Sequence, residues 1–158
     1  MKWGEWFKEQ ALVIAQKSKD PSTKVGAVIV RPDKTVCSVG YNGFPAGINE
    51  DYMDYVKRDL KYGCIIHAEM NALIFSTDPS MKGYKLYCTH APCNDCLKHI
   101  IQHKISEVIY FDGGPMVERG TTTQKACLQR LLLGSREFFH CRNYNDTPYL
   151  AELGMSDA

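Results

Sequence analysis

Two hydrophobic periodicities alternate along this chain, and the switches between them mark out its elements. Trp3, Trp6, Phe7, Ala11, Ile14 and Ala15 recur at three- and four-residue intervals, which predicts an amphipathic helix over 2–18 that ends before Asp20-Pro21. Val25 to Val30 is a nearly continuous apolar run, Arg31-Pro32-Asp33-Lys34 turns the chain, and Thr35 to Tyr41 is again β-rich; together they predict a hairpin. Asn42-Gly43-Phe44-Pro45-Ala46-Gly47 reads as loop, and residues near 51–60 as a short polar helix.

Residues 67–77 have the composition of a buried helix (Ala68, Met70, Ala72, Leu73, Ile74, Phe75), stopped by Asp78-Pro79. A strand at Tyr84 to Thr89, a helix from about Cys93 to His103 and a strand at Glu107 to Phe111 follow. Thr121 can cap a helix that runs to Leu133 and is closed by Gly134, and Arg136 to Cys141 reads as a last strand. Strands joined through helices are most simply parallel, so the second half reads β-α-β-α-β. The expected fold is a three-layer α/β/α arrangement around a five-stranded mixed sheet. It forms one domain over 1–158, with 142–158 as a short polar tail or interface arm.

Composition narrows the function. The 158 residues are 44% hydrophobic and 23% charged, as in an ordinary soluble globule. Lys and Arg number 19 against 18 Asp and Glu, so no broad basic surface is expected for gripping a nucleic-acid polymer, although a single nucleotide fits. There is no apolar run of about 18 residues, and Met1-Lys2-Trp3-Gly4-Glu5-Trp6 resembles neither a signal nor a transit peptide, so the expectation is a cytoplasmic protein without a membrane partner. Seven cysteines, two of them in a C-x-x-C, argue for metal binding before disulfides; Cys37, Cys64, Cys88, Cys127 and Cys141 read as small buried hydrophobes.

The candidate chemistry lies in His67-Ala68-Glu69 and Pro92-Cys93-Asn94-Asp95-Cys96. His67, Cys93 and Cys96 supply three ligands for Zn2+, the number that a catalytic site keeps while its fourth position stays open. The H-x-E and P-C-x-x-C pair is an established signature of zinc nucleobase deaminases. Glu69, two residues beyond His67 on a helix, points away from the ligand and can reach an acidified water as its base, with a water pKa near about 7. Cys93 and Cys96 at a helix start are favoured as thiolates.

Plainer readings stand beside these. Cys93 and Cys96 could be half of a structural zinc site completed by His99 and His103, although ligands on one helix turn close a tetrahedron poorly. His90 reads either as a pocket-mouth residue or as a strand-end surface residue, and Asn42 before Gly43 could merely satisfy a turn. A zinc-stabilised binding module without turnover is the non-enzyme alternative; a deaminase of free cytidine or of a tRNA adenine is the alternative within enzymes.

Ser18-Lys19-Asp20-Pro21-Ser22-Thr23-Lys24-Val25-Gly26-Ala27, Gly40-Tyr41-Asn42-Gly43-Phe44-Pro45, His67-Ala68-Glu69-Met70-Asn71-Ala72 and the P-C-x-x-C run together resemble the deoxycytidylate (dCMP) deaminases of the zinc-dependent cytidine deaminase superfamily. The resemblance covers about residues 3–141. It implies a cytidine-deaminase-like fold and hydrolysis of dCMP to dUMP, which feeds thymidylate synthesis. His67, Cys93 and Cys96 would hold one catalytic Zn2+ per chain, and Glu69 would shuttle protons. Asn42, Ala68, Thr23, Lys24 and Val25 would lie against the substrate, with Lys24 the candidate for its phosphate. The resemblance further implies a homohexamer activated by dCTP and inhibited by dTTP, each bound with Mg2+, with Gly43, Phe44, Pro45 and Phe75 tied to that regulation. On a buried helix, Phe75 also reads as a core aromatic. Family members usually carry a Tyr after the fourth strand, where this chain reads Phe111-Asp112-Gly113-Gly114-Pro115-Met116; Tyr110 and Phe111 are the aromatic candidates in its place.

Overall fold

The computed structural model describes residues 1–112 and 121–155. Its elements are α1 (Trp3–Ala15), β1 (Gly26–Val30), β2 (Val36–Tyr41), α2 (Arg58–Cys64), α3 (Ala68–Ile74), β3 (Lys85–His90), α4 (Asn94–Gln102), β4 (Glu107–Asp112), α5 (Thr122–Ser135), β5 (His140–Asn143) and α6 (Tyr149–Glu152), with a 3-10 turn at Glu50–Tyr52. The five strands form one mixed sheet in the order β2-β1-β3-β4-β5. β1 runs antiparallel to both neighbours, whereas β3, β4 and β5 are parallel.

Side chains of a strand alternate between faces, and here both faces are covered. Ala27, Ile29, Leu86, Cys88, Val108 and Tyr110 point into a core shared with Ala72 of α3, Leu97 and Ile100 of α4, and Leu128 and Leu132 of α5. The intervening Val28, Val30, Tyr87 and Ile109 face Phe7 and Ala11 of α1. This is the expected three-layer α/β/α arrangement.

Register brings three loops to one end of the sheet. Gly26 lies opposite Tyr41 and Ala27 opposite Cys88. The chain entering β1 (23–25), the chain leaving β2 (42–43) and the chain leaving β3 (91–93) therefore meet. An isolated bridge between Gly43 and Ile66 delivers the start of α3 to the same place.

Several sequence expectations need correction. The predicted helix over 51–60 is instead the 3-10 turn followed by α2, which starts only after Asp54 Oδ1 has accepted the Val56 and Lys57 amides. Gly134 lies inside α5 and does not close it. The strand expected over 136–141 is β5, displaced to His140–Asn143, because the Phe138 and Phe139 amides donate back to the Ser135 carbonyl and prolong the helical turn. The expected polar tail is a packed segment: it continues β5, bridges Arg142 to Pro148 and buries Tyr149, Leu150 and Leu153. Phe75 caps the exposed end of α3 at 64% accessibility and is no core aromatic, and Cys64 at the end of α2 is exposed, unlike buried Cys88 and Cys141. Gly113 to Met116 lie outside the described residues. No described helix is long and apolar enough to cross a membrane.

Gly40 fixes the distance between β2 and α3. A Cβ there would collide with the Ala68 carbonyl and the Ala72 amide, both backbone atoms that cannot turn aside. Gly40→Ala is expected to cost about 3 kcal/mol or more, at the upper end for overpacking, read as a shift in the denaturant unfolding midpoint.

Candidate active site

His67 and Cys93 occupy equivalent places, each being the N-cap residue of the helix that follows, α3 and α4 respectively. Cys96 stands one turn into α4, and its backbone N–H donates to the Cys93 sulfur at 3.4 Å. His67 Nδ1 lies 3.4 Å from the sulfur of Cys93 and 3.4 Å from that of Cys96. The three ligand atoms all fall within 4.8 Å of one another.

This donor set fits zinc. Bonds of about 2.3 Å to sulfur and 2.0–2.1 Å to nitrogen at tetrahedral angles put neighbouring donors roughly 3.6 Å apart, close to the observed separations. Two sulfurs and one imidazole are the donors zinc prefers, and three of them leave a fourth direction open. His99 and His103 do not join them: both are exposed and bond the carbonyls of Asp95 and His99, one turn back on α4.

The electrostatics are those of a site shaped for a cation. The hydrogen bond from Cys96 holds the Cys93 thiol well below its ordinary pKa despite burial, and His67 adds to the effect. Cys96, which donates that bond and is buried, is pushed up in turn. The contact with Cys93 raises His67 to about 9. Cys93 is thus the donor that gives up its proton most readily, and a dication would have to displace the protons favoured on Cys96 and His67.

Glu69 is buried, and burial pushes its pKa up. Its Oε1 accepts a hydrogen bond from the Cys88 thiol at 3.2 Å. The carboxylate lines a cavity of about 650 Å³ together with His67, Ala68 and Cys93, a volume in the usual range for small-molecule sites. Thr23, Val25 and Asn42 form another wall, whereas Lys24 is exposed and is not among the lining residues. Asn42 is held by backbone: its Oδ1 accepts from the Val25 N–H at 2.8 Å and its Nδ2 donates to the Thr23 carbonyl at 2.9 Å. His90 lines the cavity too, with Nδ1 3.0 Å from the Thr89 hydroxyl, and burial lowers its pKa.

Four lining residues escape the sequence motifs: Arg58, Lys61 and Tyr62 of α2, and Tyr149 of α6. The Tyr149 hydroxyl donates to the Pro92 carbonyl at 3.0 Å, next to Cys93, and its ring packs 5.2 Å from that of Tyr110. Pro148 ahead of an apolar Tyr149, Leu150, Leu153 spacing was the available signal for α6. Neither Tyr110 nor Phe111 lines the cavity; Tyr110 sits in the core, and Phe111 packs against Tyr87 and Tyr144 on the α1 side. Gly43, Phe44, Pro45 and Phe75 also stand outside the cavity lining, with the Phe44 ring against that of Tyr55 at 4.5 Å.

The family model for the cytidine and deoxycytidylate deaminase zinc-binding region matches residues 1–112. Mouse deoxycytidylate deaminase is 41% identical over 115 residues, which are 70% of this chain and 65% of the mouse protein. The human protein of that name is 37% identical over 137 residues, 84% of this chain and 74% of its own length. Among solved structures, dCMP deaminase from the cyanophage S-TIM5, in complex with dCMP and dUMP, superposes with a TM-score of 0.66 at 28% identity, covering 90% of this chain and 98% of that one. A deaminase/reductase of Thermotoga maritima shares the fold at a TM-score of 0.62 and 18% identity, covering 96% of this chain and 38% of that one.

Replacing either sulfur by oxygen removes a soft donor. Cys93→Ser and Cys96→Ser proteins are each expected to lose more than about 100-fold in zinc affinity, exceeding what outer contacts to a metal site contribute, as measured by competition with a chromogenic chelator.

Proposed function

The chain belongs to the cytidine and deoxycytidylate deaminase family, and from that premise we propose that it hydrolyses dCMP to dUMP and ammonia, supplying dUMP for thymidylate synthesis. The observation that carries this reading is a buried carboxylate, Glu69, lining one cavity with His67 and Cys93 of a His-Cys-Cys donor set. Zinc held by His67, Cys93 and Cys96 supplies the Lewis acidity that makes water nucleophilic near neutral pH.

The chain's own groups do the rest. Glu69 takes one proton from the attacking water and delivers it to ring N3, then takes the second from the hydroxyl so formed at C4 and passes it to the departing amine as the C4–N bond breaks. One water is consumed and one ammonia leaves, so no other reactant is required. Thr23, Val25 and Asn42 present the wall for the sugar, and Ala68, with no side chain beyond Cβ, leaves room beside Glu69 for the base. Arg58 replaces Lys24 as the candidate contact for the 5′-phosphate. It lines the cavity and makes no ion pair among the described residues, its guanidinium standing 5.8 Å from the Tyr62 ring centre. Lys61 is already paired with Asp20.

The reading extends to regulation and assembly. Activation by dCTP and inhibition by dTTP, each with Mg2+, and a cytoplasmic homohexamer working through one domain per chain are proposed on the family resemblance. Phe75 and Trp3, exposed at 64% and 55%, leave an apolar side chain on each face of the sheet available to other subunits.

The deciding experiment follows the ultraviolet change on deamination of dCMP beside deoxycytidine. Zinc-loaded protein is expected to convert dCMP; zinc-loaded protein inert toward both would move the binding-module reading to the front. Glu69→Ala is expected to lower kcat about 10³-fold or more while zinc stays bound. Arg58→Ala is expected to raise KM for dCMP about tenfold or more, the worth of a hydrogen bond to a charged group, and to leave deoxycytidine kinetics unchanged.

A further inference from the structure

Lys61 is the one buried residue of α2. A helix normally docks through an apolar stripe, but here the group that enters the protein is an ammonium. Its Nζ lies 2.7 Å from Asp20 Oδ2, with the two side chains 9% and 1% exposed, and it donates to the Ser22 hydroxyl at 3.0 Å. Charges so far from water persist only as a hydrogen-bonded pair.

Asp20 is the hub of the segment that follows it. Its Oδ1 accepts from the Ser22 N–H at 2.9 Å, the Ser22 hydroxyl at 2.9 Å and the Thr23 N–H at 3.2 Å. Asn42 Nδ2 approaches its Oδ2 at 3.4 Å. Asn42 in turn holds the Thr23 carbonyl and the Val25 N–H, and its own carbonyl accepts from the Ser18 hydroxyl at 2.9 Å. The Ser22, Thr23 and Val25 amides and the Thr23 carbonyl are thus all held by the side chains of Asp20 and Asn42, so the shape of 20–25 depends on one carboxylate staying charged and in place.

We propose that Lys61 is a positioning residue: through its ion pair with Asp20 it docks α2 and holds the 20–25 segment in the conformation that forms one wall of the substrate cavity. The deaminase reading enters only in naming what the cavity binds. Arg58 and Tyr62 flank Lys61 on α2 and also line the cavity, so the same anchor sets the helix's contribution to the mouth. The metal ligands and Glu69 come from α3, α4 and their caps, outside this network. Loss of the lock therefore affects binding and spares the chemical step.

The test compares zinc-loaded wild type with Lys61→Met, the double variant Asp20→Asn/Lys61→Met, and Lys61→Arg. The double variant leaves no lone charge buried, the configuration in which removal of an ion pair is tolerated. In Lys61→Met and the double variant, hydrogen-exchange protection of the Thr23 and Val25 amides is expected to fall about tenfold or more, as a local opening. KM for dCMP is expected to rise about tenfold or more with kcat within about threefold, the pattern of lost binding. Zinc content is expected to stay stoichiometric, and Lys61→Arg to recover most of both effects. Wild-type protection and KM in the double variant, or a fall in kcat with KM unchanged, would overturn the proposal. Should wild type not turn over dCMP, the deaminase reading fails, and the exchange comparison alone still decides the lock.

Discussion

Strand β1 bonds antiparallel to two neighbours at once, and its register sets the geometry of the whole molecule. Its five residues are all buried, so alternate side chains feed two separate cores, and a one-residue slip would exchange those sets between faces. With the register fixed, the ends of three strands and the bridge at Gly43 converge, and helices α3 and α4 begin where they do. The site is a by-product of that alignment: a metal cluster and a cavity wall arise at the sheet end because the hydrophobic pattern permits one pairing.

Polar groups buried at that end divide into two systems. One is a set of sulfur and imidazole donors whose mutual contacts pull the Cys93 thiol down and push Cys96 and His67 up. The other is the Asp20-Lys61-Asn42 web, in which opposite charges compensate one another and hold backbone. Glu69 belongs to neither. Burial works against its charge and the Cys88 thiol donates to it, as suits a group that must both accept and release a proton.

How much could be read from the sequence depended on how local the signal was. His67, Glu69, Cys93 and Cys96 lie in short motifs with fixed spacing; the structure brings His67, Glu69 and Cys93 to one cavity and sets Cys96 within 4.8 Å of the other two ligand atoms. Strands β1, β3 and β4 were legible because they are apolar runs bounded by turn residues. α2 was misplaced because its buried face is a lysine, invisible to any hydrophobic periodicity. α6 reads as tail in the sequence because only four residues are helical and its neighbours are polar. Lys24 and Arg58 are alike in charge; only the three-dimensional placement of α2 distinguishes the one outside the cavity from the one within it.

The hydrogen bond from Tyr149 to the Pro92 carbonyl joins residues 57 positions apart. A ribosome makes the chain from its N-terminus, so His67, Cys93 and Cys96 all emerge well before the tyrosine that braces their loop. The support of the ligand loop is therefore long-range: it belongs to the folded tertiary structure and not to the motif that carries the ligands.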